Sequence, residues 1–240
     1  MKQRWSIPLL FLLAALGGLS ALRAGEPTLQ SALDLLSRQH FPEAISQLEL
    51  LAVRNASDLM RYARNNPGKV SYASNGVGSI YHLAGAMMKL LTGLELVHVP
   101  YKGGAQMMPD LIAGQVQMSF ASLISVPPQL KSGKVRLIAV LEPSRYAALP
   151  DVPALAESIP EFGKPPTWLG LFGPANLPGP VLARLNAAMV KIVMSDEVRA
   201  QLENNGFAVI ANTPEQFAAA IRSDMEYVAR IVKAAGIQPE

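Results

Sequence analysis

The sequence predicts an α/β protein built on a mainly parallel sheet. Three observations carry this. From Ser57 onward, apolar residues at helical spacing alternate with short β-type runs. Val135 to Leu141 is apolar at nearly every position, as a strand covered on both faces would be. Glycine and proline stops such as Asn66-Pro67-Gly68, Gly114 and Gly206 punctuate the alternation.

Taken in order, the chain opens with Lys2 and Arg4 before an apolar run from Ile7 to Leu22. That run is shorter than the ~20 residues a spanning helix needs. A basic start, a short apolar stretch and small residues after it predict a secretory signal peptide over 1–24. Leu22 and Arg23 suit a cleavage site poorly, so an uncleaved anchor is the alternative; the rest of the chain is exported either way. In 25–53, Ala32, Leu35, Leu36, Phe41, Ala44, Ile45, Leu48 and Leu51 recur at helical spacing and predict an amphipathic helical segment packed on the main body.

Ser57 is read as the N-cap of a helix that Asn66-Pro67-Gly68 ends. Val70 to Ala73 is a short strand. Ser79 opens a second helix with Ile80, Leu83, Ala84, Met87 and Leu91 on one face. Leu94 to Val99 is a strand. A short helix carries Met107, Met108, Leu111 and Ile112 and closes at Gly114. Val116, Met118 and Phe120 alternate with Gln115, Gln117 and Ser119, the pattern of a half-buried strand. Prolines from Pro150 to Pro166 mark a crossing between domains. Trp168 to Phe172 and Phe207 to Ile210 read as strands. Helices follow Gly179-Pro180, with Leu182, Leu185, Met189 and Ile192 on one face, and Ser195. Thr213-Pro214-Glu215-Gln216 is a capping box for the last helix.

Composition excludes several functions. The 240 residues are 50% hydrophobic and 16% charged, which is too apolar for disorder. There is no cysteine, hence no disulfide scaffold, thiol nucleophile or Cys-based zinc site. The three histidines, His40, His82 and His98, lack metal-ligand spacing, so no metal and no cofactor is expected. The 21 basic residues exceed the 18 acidic by three, and Lys2, Arg4 and Arg23 of the leader account for the difference. A chain balanced beyond its leader has no excess field for nucleic acid. No G-x-S-x-G elbow is present, Asp110 and Glu142 form no carboxylate pair, and no serine has a base. An enzyme is not expected.

The informative segment is Ser74-Asn75-Gly76-Val77-Gly78-Ser79, between a strand and a helix. Its glycines permit tight backbone, and the first N–H groups of the helix have no partner within it. The positive end of the helix dipole points the same way, so an oxyanion is favoured there. Ser74 and Ser79 add hydroxyls, and His82, one turn on, could donate as well. A glycine turn merely capped by Ser79, and a packing role for His82, are the plainer alternatives. The loop is neither a Walker A loop nor G-x-G-x-x-G. Lys102 and Gly103 follow the next strand, with Lys102 the one nearby positive charge or else a solvated loop residue. Ala121 and Ser122 follow the third strand. In a parallel sheet all three turns lie at one edge, where ligands collect.

In order along the chain stand Asn66-Pro67-Gly68-Lys69, Ser74 to Ser79, His98-Val99-Pro100-Tyr101-Lys102-Gly103, Leu149-Pro150-Asp151-Val152-Pro153 and Leu171-Phe172-Gly173-Pro174-Ala175. Together they resemble the Bug family, the TctC-like substrate-binding proteins of tripartite tricarboxylate transporters. The resemblance implies two α/β lobes of periplasmic-binding-protein type II, closing on a small carboxylate without catalysis. It implies residence in the periplasm and delivery to a membrane permease or a sensor. Ser74, Gly76, Gly78 and Ser79 match the family's ligand-carboxylate loop, and Ala121 and Ser122 its next ligand-facing turn. Members often carry an acid or amide where Ala121 stands.

The departure is at the front. The family's first lobe begins with a strand and a Pro-Phe-x-x-Gly-Gly-like clamp loop, and no such stretch precedes Ser57. The resemblance therefore divides the chain into the 25–53 segment in place of most of the first lobe, a ligand-binding lobe at 54–165, and a returning segment at 166–240. Trp168 and Gly170 would lack neighbouring strands, and binding would be impaired by the truncation. The rival expectation is an interaction protein or degenerate paralogue whose 28–53 segment docks the lobe on a partner.

Overall fold

The computed structural model describes residues 34, 38, 50, 53–122, 130, 131, 133–146, 149–204 and 207–238. The leader, and nearly all of the segment to which docking was assigned, lie outside the described residues. Leu50 and Val53 at its end pack against the core.

The first helix, α1 (Ala56–Asn65), is capped by Asn55, whose side-chain oxygen accepts from the Asp58 N–H at 2.9 Å. The expected cap, Ser57, instead pairs with the Ser158 hydroxyl at 2.9 Å. Asn caps at least as well as Ser, and Asp58 reciprocates by accepting from the Arg54 N–H at 3.1 Å. Next come β1 (Val70–Ser74), α2 (Ile80–Thr92), β2 (Leu96–Pro100), α3 (Gly104–Ile112) and β3 (Met118–Ser119). Ser79 caps α2 as expected, and Gly93, at φ 67°, ends it.

All pairings among the described strands are parallel, in the order β2-β1-β3. Val70 to Ser74 register with Leu96 to Pro100, and Tyr72 and Ala73 with Met118 and Ser119. Alternation sorts the side chains onto two faces. Val70, Tyr72 and Leu96 enter the main core with Leu59, Leu83 and Met88 of α1 and α2. Ala73 and Val99 turn to the other face, against Met107 of α3. Gly85 brings α2 so close to β1 that a Cβ would lie 2.1 Å from the edge of the Tyr72 ring.

Three expected strands are absent from the described residues. At 135–141 only Val140 pairs, in one parallel bridge with Ala154. Its neighbour Pro153 has no N–H to extend the ladder. Residues 168–172 and 207–210 have no strand beside them and adopt no β pairing. Trp168 instead anchors to the last helix: its indole N–H donates to Asp224 at 2.9 Å, and its ring meets Phe217 edge-on at 4.9 Å.

The chain ends in α4 (Gly179–Val193), α5 (Asp196–Asn204) and α6 (Pro214–Ala235). Thr213 and Gln216 form the expected capping box. The second half of α6 packs on α2: Ile231 enters the core, and the Tyr227 hydroxyl donates to the Gly163 carbonyl at 2.9 Å. By contrast α4 buries no residue, so the stripe expected to face a core is exposed. Replacing Leu185 and Met189 together by Gln is expected to move Tm by no more than about 2 °C, since side chains without packing carry little stability. Self-association by light scattering should fall, because exposed apolar patches promote it. A loss of several degrees in a thermal melt would mean that this face is covered in solution.

Candidate functional site

With the order β2-β1-β3, the chain winds one way from β1 to β2 and crosses back over β1 to reach β3. The winding reverses between β1 and β3, and in open α/β sheets ligands collect at such a place, beyond the carboxyl ends of the strands. The structure brings together the three turns expected at this edge. The Tyr101 N–H donates to the Ser74 carbonyl at 2.8 Å, tying the second turn to the first. Tyr81, on the first turn of α2, takes a hydrogen bond from the Ser122 backbone, tying the first to the third. That bond lowers the Tyr81 pKa, but burial dominates and leaves it raised.

Within the first turn, positive φ at Gly76 (120°) and Gly78 (74°) folds the backbone as only glycine does readily. Ser74 is wholly buried, with 0% exposure. Its hydroxyl lies 2.7 Å from His98 Nε2, 3.1 Å from the Gly76 carbonyl and 3.3 Å from the Gly76 N–H. It therefore holds the loop rather than offering a donor to the rim. His82, 8% exposed, takes up the packing role given above as the plainer alternative. Its Nδ1 accepts from the Gly78 N–H at 3.0 Å, and its ring stacks on His98 at 3.8 Å, tilted by 3°. With Nδ1 accepting from the loop, the neutral ring carries its one proton on Nε2.

The donors left for the rim are fewer than expected. Ser79 accepts from the His82 N–H at 3.2 Å and keeps its own O–H to donate. The N–H groups of Ile80 and Tyr81, in the first turn of α2, have no i−4 partner. Asn75 is exposed beside them, as is Lys102 in the second turn; Ser122, in the third, is exposed too, with its backbone engaged by Tyr81. Gly103 stands at the N-terminus of α3, a second positive dipole end on the same edge. Ala121 is half-buried against Met107 and Val116. The Tyr101 hydroxyl donates to Asp110 at 2.8 Å, so the nearest carboxylate is engaged. Burial, with Asp110 second, raises the Tyr101 pKa.

Reasoning from sequence missed His98 and Tyr81. His98 had a signal: it shares strand parity with core-facing Leu96, an unusual place for an imidazole. Burial first, then His82 and Lys89, holds its pKa down at about 4; burial and then Lys89 lower that of His82. Both rings are neutral at pH 7. No cluster of three His, Asp or Glu among the described residues could hold a metal. The rim is thus a set of neutral donors, two helix N-termini and one lysine, suited to gripping a small anion.

A family model described as the tripartite tricarboxylate transporter family receptor, TctC, matches residues 47–237. The chain belongs to this family. Among curated TctC relatives, a UPF0065 protein in the tcbD-tcbE intergenic region of Pseudomonas sp. (strain P51) is 37% identical over 72% of this chain and 52% of its own length. Protein BugT of Bordetella pertussis is 28% identical over 74% of this chain and 55% of its own. Among solved structures, R. palustris Rpa4515 with adipate superposes with TM-score 0.71 and 29% identity, covering 78% of this chain and 63% of that one. The periplasmic binding protein BugD gives TM-score 0.64 and 29% identity over 78% and 63%. The chain thus spans about half the length of the curated TctC relatives it matches. These family members bear out the expected fold class and the Bug resemblance. The family is described as a transporter receptor and BugD as a periplasmic binding protein, and no helix among the described residues here is long and apolar enough to cross a membrane.

Proposed function

We propose that this chain is a periplasmic receptor that binds a small carboxylate at the carboxyl edge of its sheet and passes it to a tripartite tricarboxylate-type permease or a sensor. The convergence of three turns at the carboxyl edge of the sheet, on either side of β1, carries this reading. Ser79 and the Ile80 and Tyr81 N–H groups meet one carboxylate, with Lys102 and Ser122 beside them. The adipate in the R. palustris relative supports a dicarboxylate as the class. The rim groups are half-buried or exposed, and water weakens each polar contact there. Millimolar affinity is therefore the expectation.

Calorimetric titration with adipate, succinate and citrate tests it. Heat at millimolar concentration is expected, and Lys102→Met should weaken binding about fivefold, the worth of one screened charge contact of ~1 kcal/mol. Tm should stay unchanged, since Lys102 is exposed. A folded protein giving no heat with any of the three would refute the receptor reading.

A further inference from the structure

We propose that His98, which lies outside the loop, is the positioning residue of the Ser74–Ser79 turn; the role rests on reading that turn as the carboxylate site. Two glycines with positive φ leave the turn free to move in the unliganded backbone, and a binding loop must be fixed beforehand if ordering is not to weaken binding. The turn is held at two points. At its start the Ser74 hydroxyl bridges back to the Gly76 N–H and carbonyl. At its end the Gly78 N–H donates to His82 Nδ1.

Both points lead to His98. One arrangement satisfies every atom around Ser74: its O–H donates to the Gly76 carbonyl, while its oxygen accepts from Gly76 N–H and from a protonated His98 Nε2. At the other end, His98 is the ring against which His82 lies flat at 3.8 Å. Tyr72, stacked at 5.0 Å on His98, fixes its ring in turn. His98 thus acts on the ligand through Ser74 and His82 without touching it.

The design separates donor from ring. His98→Phe keeps a flat ring and removes the donor; His98→Gln restores an N–H donor near the Nε2 position. Adipate affinity is expected to fall about tenfold in His98→Phe and to return within about threefold of the parent in His98→Gln. Amide hydrogen exchange by NMR gives a readout without ligand: Gly76 and Gly78 should exchange at least tenfold faster in His98→Phe and near the parental rate in His98→Gln. Should His98→Phe not fold, His98→Leu also removes the donor and should speed Gly76 and Gly78 in the same way. Failure of the folded parent to bind adipate, succinate or citrate would refute the receptor reading only, while the exchange rates still decide the role of His98. Unchanged Gly76 and Gly78 exchange in folded His98→Phe, or in His98→Leu, would overturn it.

Discussion

Gly85→Ala is expected to cost roughly 2–3 kcal/mol and to lower Tm by about 5–10 °C. The sign is not obvious in advance. Alanine in a helix interior gains up to ~1 kcal/mol over glycine. At Gly85, however, the new methyl would collide with the edge of the Tyr72 ring. That ring cannot step aside: it is 1% exposed, with Phe120 against its edge at 6.0 Å and His98 stacked on it. Either α2 lifts from the sheet or Tyr72 drives into its neighbours, and each outweighs the propensity gain. Because Tyr72 supports His98, adipate binding should weaken too. Urea denaturation of Gly85→Ala, Tyr72→Leu and the double variant tests the cause. A smaller residue at 72 should recover part of the loss, giving a coupling of at least about 1 kcal/mol. A Gly85→Ala chain as stable as the parent would show that the helix and ring are not in contact in solution.

That glycine also marks where the sequence stopped being legible. The order of β1, α2, β2 and α3 was readable because each has a local cause: Ser79 caps, Gly93 and Gly114 stop, and apolar residues repeat at the right period. The edge of the sheet followed from parallel order alone. The partners within the edge did not, since nothing local says that Ser74 meets a residue 24 positions on. Ser74 is engaged internally for that reason, while the Gly76 and Gly78 N–H groups go to the local partners Ser74 and His82. The strands expected at 168–172 and 207–210 failed on another ground. A β-type run becomes a strand only beside another, and apolarity at Leu169 or Ile210, exposed at 78% and 72%, reports what the run could bury rather than what it does.

Stability should fall as the medium is acidified from pH 6.5 to 4, through the same histidine pair. An unfolded histidine takes up its proton near 6.5. In the fold, burial, then His82, then Lys89 hold His98 near 4, and burial and Lys89 lower His82. Between these values the unfolded chain binds more protons than the native one, so unfolding becomes easier as pH falls; below about 4 the contribution is lost in full. At one pKa unit per ~1.4 kcal/mol, His98 alone gives about 3 kcal/mol before screening, and a half-buried ring leaves about 1–2. Tyr72, the other ring stacked on His98, is silent in this window, pushed up to about 12 by burial. Glu157, held near 2 by Arg145, weakens the fold with acid as well, but only below its ordinary carboxylate range. The two sources therefore separate by pH. Urea midpoints at pH 7.5, 6.5, 5.5 and 4.5 should descend most steeply below 6.5 in the parent. In His98→Gln, which titrates nothing at that position, the descent should be clearly shallower. Midpoints that are level from 7.5 to 4.5, or equally steep in both proteins, would mean that His98 is not held neutral by its surroundings.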